Sequence, residues 1–251
     1  MNGSWWVGTS LGYSSGGFEL SQDVSALTAG FAGGWNLDRL GLSASVGIVS
    51  FRGSGLTYTG YGTQPGHMTG GSGSTGGGMM PGGTTTSAAS VTGVGDLYLS
   101  GSYRLLGRPG STIFRFSGSV KAPLADESEG LGTGEWDAGG QATLTLPAAG
   151  GFLTASGGYM VLGDPAGAEY RDPLSGRVSW FRPLGGHTRS LFLEVAAAQT
   201  IVEGLPGPVQ AGVGYGVMGG DGKGWLAGLN IGLTEGAPDW SLSLSLMLSG
   251  S

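Results

Sequence analysis

Cysteine is absent from these 251 residues. That removes disulfide frameworks and thiolate chemistry, and it suits a chain that crosses an oxidising compartment unfolded. Charge is scarce as well. Asp, Glu, Lys and Arg make up 11% of the chain, against about 25% in an average soluble domain, so a water-facing surface would be hard to cover. The formal net charge of -6 argues against nucleic acid as a partner. No apolar run approaches the ~18 residues that a membrane-spanning helix requires, which leaves strands as the means of crossing a bilayer. Histidine occurs twice, as His67 and His187. Neither falls on a candidate strand beside a serine, so a Ser/His acyl-transfer site lacks its base. Glu135 and Asp137 share a face but have no cleft beside them. The Gly-rich stretches lack the Gly-Lys-Ser/Thr ending of a phosphate loop. The chain is expected to be no enzyme and to hold no metal or cofactor.

What abounds is glycine and alternation. The 56 glycines far exceed the usual share of about 7% and show no collagen-like period. Near the C-terminus, Trp240, Leu242, Leu244, Leu246 and Leu248 alternate with Ser241, Ser243, Ser245, Met247 and Ser249. Such a period of two is an extended strand whose faces meet different surroundings. The pattern recurs over 4–14, 23–36, 40–52, 92–105, 111–123, 134–147, 151–162, 172–183, 189–202, 207–218, 224–234 and 238–249. Each stretch is near the length a tilted strand needs to cross a bilayer. Short turns alternate with longer connections, as periplasmic hairpins alternate with external loops.

These observations predict an all-β fold, a transmembrane antiparallel up-and-down barrel of about 12 strands. It spans residues 1–251 as one domain, with a Gly/Met-rich external loop at 53–91. Leucines would face lipid, and Ser, Gly, Thr and Gln would enclose a watery lumen without a hydrophobic core. Aromatics cluster at strand ends (Trp5, Tyr13, Trp35, Tyr103, Trp136, Trp180, Trp225 and Trp240), where interfacial girdles place them. Expected partners are outer-membrane lipid and a small-molecule permeant, with the chain a monomer in the bacterial outer membrane. Met1-Asn-Gly-Ser reads as a start added to a processed chain without its signal peptide.

Asp96, Lys121 and Asp137 fall on three consecutive strands, near the outer end and facing inward. Hairpin counting sets Lys121 opposite Asp96 and near Asp137. Two readings stand: a salt-bridge ladder that fixes register, or a charged constriction that selects permeants. Arg104 and Arg115 face inward nearer the periplasm, with Arg177 and Glu194 on the eighth and ninth strands. They are candidates to pair with one another or with an inserted loop. An apolar ligand would meet Phe51, Tyr98, Met160, Phe181, Phe192 and Met218. The 53–91 loop is either a gate folded into the lumen or a surface loop. Its Met68, Met79 and Met80 beside His67 are weak grounds for a soft-metal site.

Residues 93–147 carry Gly93-Val-Gly-Asp96-Leu-Tyr98, Tyr103-Arg104, Val120-Lys121-Ala-Pro123 and Gly130-Leu-Gly132-Thr-Gly134-Glu135-Trp-Asp137. In this order the motifs resemble the bacterial outer-membrane family named for the MetA pathway of phenol degradation. The ending Gly232-Leu-Thr-Glu-Gly-Ala-Pro-Asp-Trp240 is similar too. The resemblance implies an outer-membrane barrel with an uptake role, often for hydrophobic or aromatic compounds. The sequence departs from the common aromatic strand ending, finishing Met247-Leu-Ser-Gly-Ser251, so its end is either replaced or a degenerate assembly signal. The alternative to transport is a sealed barrel that hosts a partner or displays loops.

Overall fold

The computed structural model describes residues 3–17, 24–52, 56–58, 79–81, 90–165, 169–185, 188–204 and 206–251. The wall is built from β1 (Gly3–Gly16), β2 (Val24–Leu37) and β3 (Leu40–Arg52). A small two-stranded pair follows, β4 (Leu56–Tyr58) with β5 (Met79–Pro81). The wall resumes with β6 (Ser90–Val94), β7 (Leu97–Leu106), β8 (Ile113–Ala122), β9 (Asp137–Ala148) and β10 (Gly151–Val161). It finishes with β11 (Leu174–Leu184), β12 (Arg189–Ala198), β13 (Val209–Met218), β14 (Lys223–Gly232) and β15 (Trp240–Gly250). Neighbours in sequence pair antiparallel, and β1 closes the ring by pairing with β15 as well as β2. Because β6 and β7 are one interrupted stave, the thirteen-stranded sheet forms a closed barrel of twelve.

The alternation separates two faces. Leu11, Leu27, Phe31, Leu42, Val213, Leu229, Leu242, Leu244 and Leu246 are all exposed on the outer wall, which in a bilayer is contact with acyl chains. Aromatics ring both ends of that wall. Tyr13 packs on Trp240 at the outer end, and Tyr215 on Trp225 toward the periplasm, with centroids 5.3 and 5.8 Å apart. Inward residues along β12 to β15 and β1 are mostly polar or small, with the large side chains Trp6, Phe192 and Met247 buried among them.

One expectation is corrected. The interior is not free of apolar packing: Val24, Ala26, Val49, Phe51 and Leu131 form a buried cluster at the outer mouth. Leu131 comes from the connection after β8, which turns into the barrel instead of standing clear of it. A second correction concerns the fourth stave. Ile48 pairs with Val94 and Ser45 with Tyr98, so three residues face two and the stave carries a β-bulge at 95–97. Bulges re-aim side chains. Here Gly95 and Asp96 are both buried while Val94 remains on the lipid side.

Candidate functional site

The bulge sets up the outer mouth. Across β7 and β8, Tyr98 rather than Asp96 lies opposite Lys121, and Asp96 sits one step farther out on the same face. Lys121 pairs directly with Asp137 across β8 and β9. The ammonium of Lys121 lies 2.7 Å from Asp137 Oδ2 and 3.4 Å from Asp96 Oδ2. It also donates to Thr133 Oγ1 at 2.8 Å. All three charged residues are cut off from solvent, at 1% exposure for Lys121, 7% for Asp96 and 5% for Asp137. Buried charges are tolerated only when paired and hydrogen-bonded, and this group meets both conditions.

The same carboxylates hold loops. Asp96 Oδ1 accepts from the amides of Leu124 and Ala125, each at 3.1 Å. Asp137 Oδ1 accepts from Gly163 N at 3.0 Å. The connection 123–136 is therefore tied near its start by Asp96 and at Thr133 by Lys121, while Asp137 holds the following connection at Gly163. Between those ties Gly130, Leu131, Gly132 and Thr133 are buried in the mouth. The approach is close. A Cβ at Gly93 would lie 2.5 Å from Leu131, and one at Gly132 would lie 2.6 Å from Ala125 and 3.1 Å from Asp96. The three charged residues thus form one buried ion-pair cluster that also holds the 130–133 segment through Thr133.

The remaining candidates are dispersed. Arg104 faces Arg115 across β7 and β8 but pairs with Asp38 in the β2–β3 turn, donating to its side chain at 3.1 Å and its carbonyl at 3.0 Å. Arg177 and Glu194 share a face of β11 and β12 without forming an ion pair, and Glu194 Oε2 has no hydrogen-bond partner among the described residues. The apolar candidates form no single patch. Phe51 belongs to the outer cluster, and Tyr98 lies beside Lys121. Met160 packs near Ile201, and Met218 is exposed at the periplasmic rim. Phe181 and Phe192 pack with tilted rings 5.0 Å apart, and Phe152 stacks on Phe181 at 6.3 Å.

Of the 53–91 loop, only the strands β4 and β5 and the start of β6 are described, so its role as a gate lies outside the described residues. His67, Met68 and His187 lie outside them too. Among the described residues no cluster of metal-ligating side chains occurs. A groove of about 750 Å³, lined by Val7, Phe31, Gly33, Ala44, Val46 and Leu248 among others, lies on the lipid-facing wall and contains none of the candidates. Sequence reasoning passed over Leu131 and Thr133. Their signal was a single large aliphatic residue framed by glycines, the pattern an inserting loop requires.

No family profile and no curated relative matches this sequence. Among solved structures the barrel is similar to a COG4313 outer membrane channel from Pseudomonas putida F1, at 13% identity and a TM-score of 0.72, covering 100% of this chain and 96% of that one. It is more distantly similar to the translocator domain of the autotransporter NalP from Neisseria meningitidis, at 11% identity and a TM-score of 0.49, covering 100% of this chain and 88% of that one. The first of these likenesses establishes the fold, that of a bacterial outer-membrane barrel.

Proposed function

We propose that this chain is a monomeric bacterial outer-membrane channel for passive passage of small molecules, aromatic compounds among them, with an outer mouth narrowed by residues 123–136. The observation that carries the reading is the seated loop: Lys121 binds Asp96, Asp137 and Thr133 together while Leu131 packs inside the wall against Val24, Val49 and Phe51. A purely structural wall has no need of an apolar plug on charged hinges. Supporting it, the wall is apolar outside and carries Arg104, Arg115, Arg177 and Glu194 inside, and ionisable lumen residues set pore selectivity. The COG4313 barrel is described as an outer membrane channel. The motif resemblance to the MetA-pathway family supports aromatic or hydrophobic permeants. No catalytic role, cofactor or nucleic-acid partner belongs to the proposal.

Planar-bilayer recording tests it. The wild type should show small single-channel steps, and Leu131→Asp should enlarge them by releasing the plug. A second reading, the sealed interaction barrel, is favoured by the exclusion of solvent from Lys121, Glu194 and Asn230. It predicts silence from both proteins in membranes where a known porin conducts.

A further inference from the structure

Across β12, β13, β14 and β15, one inward row reads Glu194, Gly212, Asn230 and Ser241 in direct register. Asn230 donates its amide to Ser241 Oγ at 3.3 Å, which turns its Oδ1 back over Gly212. Any side chain at Gly212 would run into Asn230 Oδ1 and come within 3.2 Å of Glu194 Cγ. Two acceptors, the Glu194 carboxylate and the Asn230 carbonyl, therefore flank Gly212, and Glu194 Oε2 has no hydrogen-bond partner among the described residues. Glu194 is only 7% exposed. A buried carboxylate oxygen without a donor is costly, and a cationic group seated beside it would offset that cost.

The rows on either side complete a recognition pattern. One step outward Arg177 pairs in register with Ala196, and one step inward Phe181 pairs with Phe192. Arg177 faces Glu194's side of the wall yet makes no ion pair with it. Successive rows on one face lie about 7 Å apart. Running from the outer mouth inward, the wall thus offers a guanidinium, then a carboxylate, then an aromatic pair whose rings are 5.0 Å apart. That order matches a ligand with a carboxylate, an adjacent ammonium and a ring one methylene beyond.

We propose that this face of the lumen binds α-amino acids with aromatic side chains. The ammonium meets Glu194 and Asn230 Oδ1, the carboxylate meets the Arg177 fork, and the ring packs on Phe181 and Phe192. The assignment rests on the channel reading only for how the ligand arrives. Binding is therefore measured apart from conduction, by calorimetry on the detergent-solubilised barrel with L-phenylalanine, phenethylamine and 3-phenylpropionate. L-phenylalanine should bind about tenfold or more tighter than either probe carrying a single charge. Glu194→Gln should erase its advantage over 3-phenylpropionate, and Arg177→Met its advantage over phenethylamine. Heat-modifiable gel migration confirms that each variant folds. Equal binding of the three probes, no binding by the folded wild type, or indifference to Glu194→Gln overturns the site. A wild type that conducts without binding loses only this site, whereas one that binds without conducting loses the channel and keeps the site.

Discussion

Lys121 and Asp137 face each other as a cross-strand pair of β8 and β9, and their charged ends are 2.7 Å apart inside the wall. The pair does more than fix register, because its free valences reach outward. Lys121 also holds Thr133, and Asp137 also holds the amide of Gly163. Two external connections thus hang from one buried ion pair.

Replacing Lys121 by Met should be severe. It leaves Asp96 and Asp137 buried with no cation between them, and breaking a buried pair typically costs about 3–5 kcal/mol. Urea titration in detergent, followed by tryptophan fluorescence, gives the number. A loss below about 1 kcal/mol would mean the cluster is wetter than its burial implies.

The architecture was legible because period-two alternation survives without tertiary context. Leu42, Val213 and Leu244 face outward as the alternation requires, and strand ends agree within a few residues. The bulge at Gly95 and Asp96 was not legible. Alternation cannot report one extra residue when the residues around it are glycines. The expected Asp96–Lys121 pairing was one step off for another reason: the β7–β8 hairpin closes off-centre, with Leu106 paired to Phe114. The charged trio was recoverable because opposite charges on small-residue strands have few other partners. Leu131 escaped because loops are read by composition, and composition does not say which side of a wall a loop folds to. Phe181 and Phe192 were named singly among the inward apolar residues; that they pair, and that Phe152 extends them through register with Phe181, needs the strand register.

Gly132→Ala should loosen the same loop without touching a charge. The added methyl would sit 2.6 Å from Ala125 and 3.1 Å from Asp96 Oδ2, so the segment has to shift off its seat. Deuterium exchange at the Leu124 and Ala125 amides, which Asp96 accepts, should accelerate by about tenfold, equivalent to roughly 1.4 kcal/mol of local protection. Unchanged exchange would show that Asp96 holds those amides independently of the buried loop.

The outer rim should weaken in alkali through Tyr170. Burial against Ile201 and its neighbours, then the nearby charges of Asp137 and Asp164, raise the phenol's pKa above its ordinary value. A raised folded pKa contributes stability that is fully present below the unfolded value, about 10 for tyrosine. That contribution disappears as pH rises through the folded value. Proteolysis of the 162–173 connection should therefore accelerate above about pH 10, together with the phenolate absorbance of this residue. Tyr170→Phe should abolish that part of the pH dependence. A wild type and variant cleaved alike at every pH would detach the rim from this group.

Leu244 and Ser243 are adjacent on β15, and Leu244 is 43% exposed on the outer wall while Ser243 points to the lumen with Gly12 and Gly228 as cross-strand partners. In water the two positions would differ little in their tolerance of charge. In a bilayer they differ strongly, because an arginine on the lipid face near the midplane costs about 2–4 kcal/mol, whereas one in a polar lumen keeps its hydration. Leu244→Arg should therefore lower stability in lipid vesicles by that amount and lose much of the penalty in a short-chain detergent that thins around the barrel. Ser243→Asn, a lumen change small enough to fit beside two glycines, should stay within about 1 kcal/mol in both media. Equal penalties for Leu244→Arg in vesicles and detergent would mean that Leu244 does not face acyl chains. The inside and outside of the barrel would then have to be exchanged, and the charged cluster around Lys121 would need another explanation.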